Sequence, residues 1–145
     1  MKQTLEQALA STGIYSDGHD YRLLRLPPQA ITLAAGIMAE GGIPFCAAIA
    51  DKDEMSLLLR DDVMQEFAGR LRSADVSEQS YRQITFEAPL EPSLVGFIAE
   101  ISAALAEAQI PILAFAAYSR DHIFVPQEHF DAAMQALAAL QDSYL

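Results

Sequence analysis

The residues best suited to chemistry lie in the second half of this 145-residue chain: Glu91, Asp121, His122, Glu128 and His129. Carboxylates beside imidazoles invite an acid–base or metal reading, but their spacing argues against it. Asp121 and His122 are neighbours on a predicted strand, so their side chains leave opposite faces. His129 lies beyond Pro126, near a helix start, and no pair has the spacing of H-x-x-x-H. "DGHD" (17–20) reads as a turn. Cys46 sits in "IPFCAAIA", the pattern of a buried, inert thiol, with no His–Asp pair placed to activate it. Neither G-x-x-x-x-G-K nor G-x-G-x-x-G occurs, so nothing cradles a nucleotide phosphate. The sequence therefore offers no catalytic residue, no metal site and no cofactor.

A different kind of site is offered by "EPSLVGFIAE" (91–100), a loop running into an apolar helix. Ser93 can cap that helix, and Gly96 sits in its first turn. The open N–H groups of a helix start attract an anion without help from a side chain. Leu94, Val95 and Gly96 would supply those groups. The absent Cβ of Gly96 would let a ligand, or a neighbouring strand, approach closely. A Val there should block a ligand with modest harm to the fold. Ligand binding and simple helix-on-sheet packing both account for the glycine.

The elements that position this loop come in two rounds. "YRQITFEA" (81–88) alternates like a strand. Leu94, Phe97, Ile98, Ile101, Leu105 and Ala108 mark one face of a helix, which Pro111 ends. "ILAFAAY" (112–118) reads as a buried strand, "SRD" (119–121) as a turn and "HIFVP" (122–126) as the returning strand. Phe130, Ala133, Met134, Leu137 and Gln141 then space a last helix, and "SYL" (143–145) or another segment can add a short strand. The first half repeats the order with a strand at 21–26, a short helix at 30–42 interrupted by Gly36, a hairpin of 44–50 with 55–60, and a helix through Val63, Met64, Phe67 and Leu71. Ile43-Pro44 recurs as Ile110-Pro111 at an offset of 67 (110 − 43). Two β-α-β-β-α units imply an α+β fold with helices on one face of mostly antiparallel sheet. We expect units at 1–72, including an N-terminal extension, and 80–145, with 73–79 as linker.

Apolar residues make up 52% of the chain, enough for a real core, and the net charge of −11 argues against nucleic acid and anionic membrane as partners. One cysteine rules out a disulfide framework within the chain and fits a reducing compartment such as the cytoplasm. No run approaches a membrane span, and residues 1–12 do not read as a secretory signal. Ala99, Ala103 and Ala106 give the helix a small outer surface, suited to a dimer contact or to an ordinary solvent face.

With Leu94, Val95 and Gly96, "SAALAEA" (102–108), Ile110, Tyr118 and Asp121 in these positions, the chain resembles the tandem ACT-domain proteins. It looks most like the regulatory part of aspartate kinases and the CASTOR-type amino-acid sensors. The resemblance implies ferredoxin-like βαββαβ units, small-molecule sensing without catalysis and pairing of ACT units (most simply in a homodimer); the signal would then pass to a protein partner. It also implies a ligand site between the βα loop of one unit and the first hairpin strand of a neighbouring one, lined by Glu91, Leu94, Val95, Gly96, Tyr118 and Asp121. An amino acid would place its carboxylate on the loop amides and its ammonium on Glu91 or Asp121. Two departures stand out: Ala116 and Ala117 replace the hydroxyl residues usual in sensors, and Gln109 replaces the glycine that normally ends the first helix. The alternative is a structural or interaction pair of ACT-like units that binds no ligand.

Overall fold

The computed structural model describes residues 2–145. In chain order the elements are α1 (Leu5–Ser11), β1 (Ile14–Tyr15), β2 (Asp20–Leu26), α2 (Ile31–Gly41), β3 (Ala47–Ala50), β4 (Met55–Arg60), α3 (Asp61–Glu66), β5 (Asp75–Val76), β6 (Tyr81–Phe86), α4 (Phe97–Glu107), β7 (Leu113–Ala116), β8 (Asp121–Pro126) and α5 (Phe130–Asp142). This is an α+β fold, as expected, with antiparallel pairing in both hairpins.

The chain forms two compact units, His19–Tyr81 in the middle and Arg82–Leu145 joined by the residues up to Gly18. The N-terminal extension thus packs with the second repeat rather than the first, where the sequence had been expected to place it. The reason is apolar: Ala8 and Leu9 of α1 are fully buried in one cluster with Ile84, Phe86, Phe97 and Leu137. Nor is 73–79 a bare linker, since Leu24 and Arg25 of β2 pair with Val76 and Asp75 of β5.

In the middle unit β4 lies between β3 and β2. Leu24 and Leu26 of β2, with Leu57 and Leu59 of β4, point to one face and meet Ala34 and Ile37 of α2 and Val63 of α3. Helix α2 runs unbroken through Gly36, whereas the helix expected through Leu71 stops at Glu66 and continues as a 3-10 turn, Ala68–Arg70.

In the terminal unit β8 lies between β6 and β7, and β1 adds to β6 through Ile14↔Phe86 and Tyr15↔Thr85. The short extra strand therefore comes from the N-terminal segment, not from residues 143–145. Ile84, Phe86, Ile123 and Val125 line the inner face of these strands, covered by Phe97, Ile101 and Leu105 of α4 and by Ala133 and Leu137 of α5. Gln141 ends the stripe of α5 with a different task. Its side-chain amide donates to the carbonyls of Leu9 (3.0 Å) and Thr12 (2.7 Å), groups left open where α1 ends. Strand β7 alternates between half-buried and exposed, not buried as its apolar run suggested, because among the described residues it pairs with β8 alone, at the end of the sheet.

Candidate ligand site

A cavity of about 350 Å³ opens between the β6–α4 loop and the β7–β8 hairpin, and both walls belong to the terminal unit. Of the residues expected to bind a ligand, Glu91, Leu94, Gly96, Tyr118 and Asp121 line it. Val95 is absent from the wall and is 83% exposed. The volume falls at the low end of small-molecule sites, roughly 300–1,000 Å³.

The loop differs from its expected form at the helix start. Helix α4 begins at Phe97, and Gly96 is its N-cap, at φ 97° and ψ −1°, in the left-handed region. Ser93 does not cap, and no side chain does. The periodicity ran on to Leu94 because Leu94 packs on the same core from the loop. Leu94 N–H is not open, since it donates to Glu91 O at 2.9 Å in a turn. The first intrahelical bond runs from Glu100 N to Gly96 O (3.0 Å), so the amides of the opening turn of α4 lack intrahelical partners. The left-handed φ means that any side chain at residue 96 is strained, and its Cβ would stand 3.3 Å from Leu5 Cδ2. Substitution here therefore harms the fold, contrary to the mild cost expected from sequence.

The two carboxylates have different surroundings. Glu91 Oε1 accepts the Gln3 backbone amide at 3.2 Å, and the Glu91 amide donates to Gln3 Oε1 at 3.3 Å. Glu91 thus fastens the N-terminal segment to the loop, a role that nothing in the local motif announced. Asp121 opens β8 opposite Ala116 of β7. It is half-buried, and burial raises its carboxyl above the ordinary value, a shift that His122 opposes. His122 leaves the other face as expected: its Nδ1 lies 2.8 Å from Thr85 Oγ1, which also accepts from Gln83 Nε2 at 2.8 Å. Burial lowers the His122 pKa, favouring the neutral ring.

The hairpin tip completes the cavity. Arg120 Nε donates to Glu87 O at 2.7 Å, and Leu90 N donates to Ser119 O at 2.9 Å, so the tip is tied to the loop. Tyr118 stands fully exposed at the rim. Among the described residues no group of three or more His, Cys, Asp or Glu is arranged to hold a metal ion. Cys46 is half-buried just before β3, and burial raises its pKa. Among the same residues no helix is long and apolar enough to cross a membrane.

Comparison with known proteins agrees with this architecture. The ACT-domain family model matches residues 76–139. A Vibrio cholerae protein of unknown function, described as a possible transport protein, is 28% identical over 95% of this chain and 96% of its own, with a TM-score of 0.75. A protein from Agrobacterium tumefaciens is 19% identical over 90% of this chain and 89% of its own, with a TM-score of 0.71. The ligand-free regulatory subunit of aspartate kinase from Thermus thermophilus is 16% identical over 89% of this chain and 97% of its own, with a TM-score of 0.68. No curated protein matches. The family match thus places an ACT domain in residues 76–139, and the fold of the chain is shared with aspartate kinase regulatory subunits.

Proposed function

We propose that this protein is a regulatory module that binds an amino acid in the cavity beside Gly96 and performs no chemistry of its own. The observation that carries this reading is the pairing of opposite needs across one small cavity. Unpartnered helix-start amides of α4 stand on one wall, and the half-buried Asp121 carboxylate stands on the other. The amides and the helix dipole take the ligand's carboxylate, and Asp121 takes its ammonium. Gly96 leaves the backbone open to approach, Leu94 and Tyr118 border the ligand, and Val95 borders the mouth. Glu91 holds the loop through Gln3 and shares in the negative field around the ammonium.

The module works as a cytoplasmic homodimer that passes its signal to a protein partner. The open outer edge of β7, with Ala114 and Ala116 exposed and no charged side chain, favours pairing between copies. Calorimetric titration with the twenty amino acids tests the binding. At least one should bind, and Asp121→Asn should weaken it by about 1–3 kcal/mol. No binding of any amino acid at millimolar concentration would overturn the reading. Sedimentation showing a monomer at high micromolar concentration would overturn the dimer.

A further inference from the structure

We infer that Arg120 is the side chain that anchors the ligand's carboxylate; this rests on the amino-acid reading above and names a residue that completes the same site. Arg120 lines the cavity together with two carboxylates, Glu91 and Asp121. It is held in place by the protein without being neutralised by it. Its Nε donates to Glu87 O at 2.7 Å and its Nη1 to Ser119 Oγ at 3.3 Å, and neither acceptor carries a charge. Among the described residues Nη2 has no hydrogen-bond partner and no carboxylate forms an ion pair with Arg120. Other arginines of this acidic chain are paired: Arg22 with Asp61, Arg25 with Asp75, Arg60 with Asp62 and Arg70 with Glu40.

The neighbouring charge sets the chemistry. Asp121 follows Arg120 directly, and the two opposite charges line one cavity without pairing with each other. An α-amino acid carries the matching pair, an ammonium and a carboxylate on one carbon. With its ammonium on Asp121, its carboxylate meets the free N–H groups of a guanidinium on the same hairpin, and a guanidinium suits a carboxylate in charge and in shape.

The loop opposite needs this help. Leu94 N–H, expected to hold the anion, is spent on Glu91 O. Only the amides of the opening turn of α4 remain on that wall. The tether of Arg120 to Glu87 O and Ser119 Oγ also leaves less side-chain freedom to be lost on binding.

The test is titration calorimetry on the full chain with the twenty amino acids and, for the tightest binder, with its α-carboxamide, which keeps the ammonium and the side chain but loses the carboxylate charge. Wild type should prefer the acid over the amide by at least about tenfold, as expected for a charge-assisted hydrogen bond. Arg120→Gln should bring acid and amide to within about threefold of each other. A hairpin tip that had merely loosened would weaken both alike and leave their ratio unchanged. That outcome would overturn the role of Arg120 and leave amino-acid binding standing, as would a wild type that binds acid and amide equally. If Arg120→Gln does not fold, Arg120→Lys keeps the charge without the fork and should lower the preference by about threefold or more, an unchanged ratio again overturning the role. Failure of every amino acid to bind would overturn both readings.

Discussion

Gln3 and Glu91, 88 positions apart, hydrogen-bond each other in both directions, backbone amide to side-chain oxygen, at 3.2 and 3.3 Å. The pair ties the first residues of the chain to the loop that borders the cavity. Two neighbouring features reinforce it. Gln3 Nε2 reaches Pro89 O at 3.4 Å, and a capping box between Thr4 and Gln7 starts α1 immediately afterwards.

Glu91→Ala should therefore free the N-terminal segment. We expect a stability loss of about 0.5–1.5 kcal/mol and faster hydrogen exchange at the amides of Gln3 and α1. Glu91→Gln keeps an acceptor oxygen and should show less of both. A tenfold loss of ligand affinity in Glu91→Gln with unchanged exchange would instead make Glu91 a ligand contact.

Gly96→Val should lower stability by about 1–2 kcal/mol from the left-handed backbone alone, with more from the crowding against Leu5. Gly96→Asn should cost less, since Asn tolerates that region better. Thermal unfolding of the two variants checks the order. Equal melting temperatures for Val, Asn and wild type would contradict the strained geometry.

Gln109 stands at the position past the end of α4 that glycine usually fills, and its φ is 62°. Its amide donates to Ala106 O and the Ile110 amide to Leu105 O, both at 2.9 Å, the two bonds of a Schellman ending. Gln109→Gly should relieve the left-handed strain and raise stability by about 1 kcal/mol, a melting-temperature gain of a few degrees. A fall in melting temperature would show that the Gln side chain compensates for its backbone.

Much of this was legible in the sequence because the signals are local. The repeated strand, helix and hairpin order follows from alternation and helical spacing, and both hairpins appear where the polar breaks fall. The departure from the ACT-domain pattern at Gln109 also marked a real backbone position. Long-range facts left no such trace. Gln141 reads as the weak end of an apolar stripe until the α1 carbonyls it binds are in place. Seven residues of α1 carry only Ala8 and Leu9 into the core, too few to show which repeat they serve. Leu94 kept helical spacing while lying outside the helix, because burial, not backbone conformation, sets that pattern. The loop and hairpin residues expected to bind a ligand line one cavity, Val95 excepted, but the engagement of Glu91 by Gln3 depends on a contact no spacing reveals.

The last prediction concerns pH. Burial raises the Asp121 carboxyl above its ordinary value of 3.8, so in the unliganded protein its ionisation opposes folding. Its favourable contribution is present below the unfolded value and is lost as pH rises through the higher folded one. A bound ammonium reverses the balance, because it stabilises the ionised carboxylate and draws its pKa back down. Amino-acid affinity should then be full at neutral pH and fall as pH drops through the raised Asp121 value, while the ligand's own ammonium stays charged. Asp121→Asn should bind weakly and lose this dependence. His122 contributes separately: its lowered pKa makes stability fall as pH drops below about 6.5, in the variant as in the wild type. Titrations at several pH values, each paired with a melting curve, separate the two groups. An affinity that falls in parallel in wild type and Asp121→Asn would assign the acid sensitivity elsewhere and remove Asp121 from the ammonium site.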